Sequence, residues 1–256
     1  MRPDQVGLPF SSPAVQRCAA RILAQIGTDP RYLTLLADLT ALRERCRFAL
    51  GAGDALGARY LDLPFAAVSF FGEGDGLREA LSGVLSRDER CYALVAEAQQ
   101  AHLEAVVHVL DVTLEWQMPF AGDPAALDPG EAVPLSPSDL PAVEALVGRS
   151  VVYAFKAGAL EIGPYFGVWR DGRLVSMAGT RLLVDEIGEI GNVVTDPHHR
   201  RQGLASMAVA ATTLALLDTG RRVLLHAFRS TPGAVALYER LGYRRERTMY
   251  LVHFHL

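Results

Sequence analysis

The stretch Glu189–Ser206, EIGNVVTDPHHRRQGLAS, is where residue types and spacing could do chemistry. It passes from an apolar strand through a Thr-Asp-Pro turn and a basic cluster to Gly203, then into a segment of helical period. A helix N-terminus presents free backbone N–H groups and a partial positive charge, so helices ordinarily open on Asp, Glu or a hydroxyl cap. This one opens on His198, His199, Arg200, Arg201, Gln202 and Gly203, with no acidic residue between Asp196 and Asp218. Positive side chains on a positive dipole are unfavourable unless an anion settles there. Gly203 lets the backbone come close to that anion, and a phosphate or pyrophosphate suits the charge. A solvated basic turn is the plainer alternative, but the strand-turn-glycine-helix context favours the anion site. The spacing fits neither G-x-x-x-x-G-K-[ST] nor G-x-G-x-x-G, which disfavours a P-loop nucleotidase and a Rossmann dinucleotide site.

The elements that must position this segment follow from pattern. Tyr165–Arg170 and Arg173–Leu183 read as strands joined by Asp171-Gly172, a two-residue hairpin signal, with a third strand over Ile187–Val194. Leu204–Leu217 is a helix with Leu204, Met207, Ala208, Ala211 and Ala215 on one face. Val223–Ala227 is a strand, Pro232–Leu241 a helix and Thr248–Phe254 a closing strand; Val133–Leu135 and a helix from Ser138 to Val147 precede them. In the first half, Pro13 and Pro30 follow Ser12 and Asp29, the chemistry of two helix starts. The second of these helices carries Leu33, Leu36, Ala37, Leu39, Leu42 and Phe48, and strands follow over Pro64–Phe71, Cys91–Ala96 and Val112–Met118. The run AGDPAALDPG, Ala121–Gly130, has two Asp-Pro pairs and two glycines and reads as a loop. The expected division is therefore an α/β domain over 1–122, a linker over 123–130 and a second domain over 131–256. Both halves end in strand-helix-strand, which leaves open a diverged internal repeat.

Val193–Ala205 reads V-x-T-x-P-x-x-R-x-x-G-x-A and resembles motif A of the GNAT superfamily of acyl-CoA-dependent N-acyltransferases. Downstream, Ala234–Tyr243, AVALYERLGY, is similar to that family's A-x-x-L-Y-E-x-L-G-F segment, with Tyr for the final Phe. The resemblance covers Val133 to the C-terminus. It implies an α/β fold with a mixed, mainly antiparallel sheet flanked by helices, two of whose strands splay to admit a cofactor. By position, it implies that the backbone of Val193, Val194 and Thr195 binds the pantetheine amides. Arg200, Arg201, Gln202, Gly203, Leu204, Ala205 and Ser206 would wrap the pyrophosphate. Tyr238 matches the tyrosine that protonates the leaving thiolate, and Thr231 stands where the family often has a cofactor-binding asparagine.

The implied co-substrate is acetyl-CoA or another acyl-CoA, with no metal, and the implied acceptor is a primary amine of a small molecule or amino acid. An ammonium must lose its proton before it can attack a thioester. Glu189 is the candidate base, with Glu186 the competing carboxylate and an exposed strand residue the plain alternative for Glu189. The backbone N–H near Val194 is the candidate oxyanion donor. Cys18, Cys46 and Cys91 all lie outside this half, which favours direct transfer over a covalent relay. A non-catalytic acyl-CoA-binding regulatory module is the alternative from another class, and protein acetylation a third.

Composition bounds the rest. With 256 residues, half of them hydrophobic, the chain can build a packed core. A net charge of −4 supplies no global positive field for nucleic acid. The three scattered cysteines argue against a disulfide framework or a structural zinc site. No apolar run reaches membrane-spanning length, so a cytoplasmic protein is expected. Lys156 is the single lysine, a compositional bias without mechanistic weight. The glycine-rich run Phe71–Gly76 carries Glu73 and Asp75, which would repel phosphate, and reads as a plain turn. His253 and His255 alternate on the last strand without a third ligand, and His198-His199 belongs to the basic turn. Tyr165 and Phe166 are candidates for the acceptor pocket, with core packing as the default.

Overall fold

The computed structural model describes residues 7–149, 155 and 157–256; the first six residues and Lys156 lie outside them. The chain divides into two compact units, Met1–Glu115 with Thr248–Leu256, and Trp116–Arg247. The expected linker over 123–130 falls inside the second unit, and the closing strand belongs to the first. Around the short 3-10 turn Pro124–Ala126, Asp123 and Asp128 accept backbone N–H groups of Ala125 and Gly130 at 2.9 and 2.8 Å. That is ordinary Asx-turn chemistry.

The first unit contains α1 (Pro13–Ile26), α2 (Leu33–Leu39), β1 (Cys46–Leu50), β2 (Leu56–Tyr60), β3 (Ala66–Phe71), α3 (Gly74–Ser82), β4 (Cys91–Val95) and α4 (Glu97–Glu104). It also takes the start of β5 (His108–Pro119) and nearly all of β11 (Arg247–His255). The strand order is β1-β2-β3-β4-β11-β5, with β3 and β4 parallel. In α1 the buried residues are Val15, Cys18, Ala19, Ile22 and Ile26, an apolar stripe at helical spacing. The expected continuation of the second helix to Phe48 is corrected. That helix ends at Leu39, and Cys46–Leu50 is a strand in which Cys46 and Phe48, two residues apart, are both buried. Period two, not 3.6, governs there. β2 went unrecognised because four consecutive residues of it are buried, which erases the alternation that marks a strand. Asp38 on α2 is buried and accepts hydrogen bonds from Ser69 Oγ at 2.6 Å and Cys46 Sγ at 3.5 Å. Burial pushes its carboxyl up to about 7.

The glycine-rich run after β3 is a two-residue link and the first turn of α3. A Cβ on Gly76 would lie 2.2 Å from the Ala52 carbonyl oxygen, so backbone already fills the approach to that helix start. With Asp75 in the first turn as well, it has neither the room nor the charge for a phosphate.

The second unit holds the end of β5, β6 (Val133–Pro134), α5 (Leu140–Val147), β7 (Tyr165–Arg170), β8 (Arg173–Val184), β9 (Ile187–Thr195), α6 (Leu204–Leu217), β10 (Arg222–Phe228) and α7 (Pro232–Arg240). Its order is β5-β10-β9-β8-β7-β6, with β9 and β10 parallel and β6 to β9 successively antiparallel. Asp171 and Gly172 turn the β7–β8 hairpin with φ of 48° and 73°, as a tight primed turn requires. α6 and α7 cover one face: Ala208, Val209 and Val235 pack with Ala178, Ile190, Val223 and Leu225. On the other, Val143 and Leu146 of α5 pack with Tyr165, Met177 and Val194. α6 is buried beyond its expected stripe, since Val209, Ala210, Thr212 and Thr213 are also inside.

Tyr243, where the resemblance implies Phe, has a physical explanation. Thr213 Oγ1 donates to Val209 O at 2.7 Å, so its second contact, 2.7 Å to Tyr243 Oη, must be accepted from the phenol. Tyr243→Phe should therefore lose one buried hydrogen bond and leave Thr213 satisfied. Urea denaturation should show a cost of about 1 kcal/mol, with no change in the slope against denaturant.

Candidate functional site

The site begins where two parallel strands part. β9 and β10 pair from Ile187↔Arg222 to Ile190↔Leu225, although β9 continues to Thr195 and β10 to Phe228. Beyond the last pair, β9 keeps β8 on one side, through Met177↔Val194 and Ser176↔Thr195. Among the described residues no strand pairs with its other edge there, so backbone polar groups on it are available to a ligand that can hydrogen-bond like a strand. The parting coincides with Asn192, whose φ of 50° is left-handed. Ile190 and Val193 then both join the α6–α7 cluster despite being three residues apart, so the bulge re-aims the end of the strand. Asn192 Nδ2 donates to Tyr165 Oη at 2.7 Å, and Tyr165 Oη donates to Thr180 O at 3.0 Å. Tyr165 is fully buried, and its place is the core.

The loop after β9 is preset by Asp196. Its carboxylate accepts from His198 N at 3.0 Å and from Arg149 Nε at 2.7 Å, while Arg149 also donates to Leu174 O. The His198 N–H and then Arg149 hold Asp196 below the usual carboxylate range. From this anchor the chain passes Arg201 at φ 66° and Gly203 at φ 79°, both left-handed. α6 then starts with no side-chain cap and no acid in its first turn. Left-handed residues next to right-handed ones turn successive N–H groups inward, a concavity that fits an anion. A Cβ at Gly203 would meet nothing within 4 Å, so the space before the helix is open. Arg200, Arg201 and Gln202 are exposed around it, while Leu204 anchors the helix start against Val168 and Val175. These residues fit a pyrophosphate. Among the described residues, no group of three His, Cys, Asp or Glu could hold a metal ion.

Glu189 lies just before the parting, opposite Leu224 of β10. It is 1% exposed and held by two residues through three contacts. Arg181 of β8 meets it through Nε at 2.7 Å and a second guanidinium nitrogen at 2.9 Å, and His226 Nδ1 lies 2.8 Å away. Burial alone would raise its pKa, but the charges of Arg181 and His226 and their hydrogen bonds outweigh that and hold it at about 2. A carboxylate so held is a poor proton acceptor. Glu186 is no substitute: its side chain is 63% exposed in the turn before β9, 3.8 Å from Arg222, at the end of the strand remote from the loop.

Tyr238 of α7 packs in the cluster of β9, β10 and α6, with its ring edge-on to Tyr243 at 6.2 Å. Burial pushes its phenol up to about 12, and no hydrogen bond tempers it. Thr231 precedes α7, and its Oγ1 donates to Phe228 O at 2.8 Å. Thr195 Oγ1 is engaged with Ser176 Oγ at 2.8 Å. The parting strands and the open loop thus draw on Val193–Thr195 and Arg200–Ser206, whereas Glu189 sits in an ionic network at the base of the fork. Arg149, Asp196, Arg181 and His226 were missed from sequence. Only the Thr-Asp-Pro turn hinted at one of them, since Asp before Pro is a common turn anchor. The three cysteines are free and buried in the first unit, and burial raises each thiol, so none is a ready nucleophile.

The Glu189 network has a measurable acid limit. A carboxyl depressed in the folded state stabilises it above its unfolded pKa, and that contribution is lost as pH falls through the folded value. Stability should therefore drop between about pH 4.5 and pH 2, and Glu189→Gln should flatten this part of the profile. Arg181→Met should cost roughly 2–3 kcal/mol at pH 7 by urea denaturation. That is less than for a fully enclosed pair, because Arg181 is partly exposed.

Residues 165–252 match the family model FR47-like protein. No curated protein sequence matched the chain. Among solved structures, a GNAT-family protein from Novosphingobium aromaticivorans DSM 12444 superposes with a TM-score of 0.69 at 23% identity, over 88% of this chain and 97% of that one. A GCN5-related N-acetyltransferase-like protein from Streptococcus suis 89/1591 gives 0.67 at 18% identity, over 93% and 99%. A GCN5-related N-acetyltransferase from Kribbella flavida gives 0.64 at 20% identity, over 88% and 95%. No described helix is long and apolar enough to cross a membrane. Residues 165–252 are therefore similar to the FR47-like family model, and the chain has the GNAT fold.

Proposed function

We propose that the protein is an acyl-CoA-dependent N-acyltransferase that moves an acyl group, acetyl in the simplest case, to a primary amine of a small molecule or amino acid. The observation that carries this reading is the opening between β9 and β10 followed at once by an acid-free helix start with two left-handed residues. A strand-like ligand with a phosphate tail matches both parts, and pantetheine joined to a pyrophosphate is such a ligand. In this reading the free edge of Val193–Thr195 receives the pantetheine amides, and the N–H groups from Arg201 to Ser206 hold the pyrophosphate. Arg200 and Arg201 add charge at the rim. The acyl carbonyl then lies in the fork, where a backbone N–H near Val194 stabilises its oxyanion. The amine attacks the thioester carbon directly, and the departing thiolate takes a proton from Tyr238 or from solvent. The phenol's raised pKa makes complete transfer uphill, so Tyr238 serves chiefly as a hydrogen-bond donor to the developing thiolate.

One observation favours a second reading. Glu189, the expected base, is sequestered by Arg181 and His226. A non-catalytic acyl-CoA-binding module would show the same fork and loop without needing a base.

Calorimetry with acetyl-CoA tests the binding that both readings share. Wild type should bind, and Gly203→Glu, which puts a carboxylate where the pyrophosphate should sit, should abolish binding; unchanged affinity would sink the assignment of the loop. A thiol-release screen of primary amines separates enzyme from module. With an acceptor found, Tyr238→Phe should lower turnover on the order of 10²-fold while leaving acetyl-CoA affinity nearly intact. Wild-type turnover in that variant would leave the thiolate to solvent.

A further inference from the structure

We propose that His226, not Glu189, accepts the proton of the acceptor amine, with Glu189 and Arg181 holding its ring; this rests on the acyltransferase reading above. The argument starts from position. Leu225 is the last β10 residue paired with β9, so His226 is the first residue past the parting, at the base of the cleft. Its side chain shares a network with one residue from each neighbouring strand: Glu189 of β9 and Gln117 of β5 touch it, and Arg181 of β8 backs Glu189.

With the Gln117 amide nitrogen toward the ring, hydrogen-bond accounting points to one tautomer. Glu189 Oε1 is a carboxylate oxygen and can only accept, so the 2.8 Å contact requires a proton on Nδ1. Gln117 Nε2 lies 3.1 Å from His226 Nε2, and an amide nitrogen can only donate. Nε2 therefore holds a lone pair when the ring is neutral. Among the described residues, the charged and polar groups that meet the ring or its carboxylate include Arg181, Glu189 and Gln117, and Arg181 neutralises Glu189 before the ring gains charge. A carboxylate orienting an imidazole whose other nitrogen is basic is an acid–base pair with its proton already placed.

The step balances without an added reagent. The ammonium of the acceptor takes the place of the Gln117 amide as donor to Nε2, and its N–H bond breaks as the Nε2–H bond forms. The freed amine lone pair attacks the thioester carbon. The C–S bond then breaks as the attacking nitrogen gives up its remaining excess proton to solvent. The departing thiolate takes a proton from Tyr238 or solvent, giving amide and thiol, and the imidazolium returns its proton to solvent.

Two measurements test the assignment. Long-range proton–nitrogen correlation spectra of the imidazole rings, with His226 identified by its loss in His226→Gln, report the tautomer directly. The result expected for the neutral ring is Nδ1–H with an unprotonated Nε2; a neutral Nε2–H ring would overturn the proposal. The second is the pH dependence of kcat/KM for an amine found by the thiol-release screen. Wild type should show an acid limb, along which kcat/KM rises with pH. His226→Gln should lose that limb and on the order of 10²-fold in rate while binding acetyl-CoA as wild type does. Glu189→Gln should keep the limb, since the acceptor nitrogen remains. A His226→Gln enzyme that keeps the wild-type limb, or its rate, would overturn the proposal. Failure of the wild type to bind acetyl-CoA would instead count against the acyltransferase reading, and the tautomer would still decide where the proton acceptor lies.

Discussion

The parting of β9 from β10 is the constraint on which the rest of the second unit depends. Two parallel strands that separate give up backbone hydrogen bonds, and buried backbone groups without partners are costly. The structure offsets that cost in two ways. At the base of the fork, Arg181, Glu189, His226 and Gln117 tie four adjacent strands together with short polar contacts, fixing where pairing ends. Past the base, the left-handed Asn192 bends β9 away and is itself pinned through Tyr165. The opening is thus braced from below and from one side, and it needs no ligand to hold it apart.

The loop beyond it is prepared in the same manner. Asp196 gathers the His198 N–H and Arg149, so the turn is set before the basic residues begin. Arg200 and Arg201 then meet the helix dipole at a start that has no acid in its first turn. In the first unit the succession β3-α3-β4-α4 is built differently. There the helix start is filled by the Ala52 carbonyl and carries Asp75, and the buried Asp38, Ser69 and Cys46 stabilise packing.

Much of the second unit was legible in the sequence, because each of its elements has an unmixed signal. The Asp171-Gly172 hairpin, the apolar strand Ile187–Val194 and the Gly203 helix start each depend on local chemistry that a few adjacent residues settle. The first unit was less legible where long-range packing overrode local period, as at Cys46–Leu50, which continues an apolar pattern begun in a helix. The loop half of the site could be read for the same reason that it could bind: its charges are unsatisfied. The fork half could not. The partners of Glu189 stand eight residues before it and 37 after it, and no spacing rule joins Arg181 to His226. A glutamate on a strand beside a cleft looks like a base until the groups that hold its charge are seen.

The central claim, that the parted strands and the loop together receive one phosphate-bearing, strand-like ligand, is most directly tested by amide hydrogen exchange with and without acetyl-CoA. Protection should rise in two segments, Val193–Thr195 and Arg201–Ser206, and leave the first unit's helix start at Gly74–Gly76 unchanged. Protection of only one of the two segments, or of Gly74–Gly76, would contradict it.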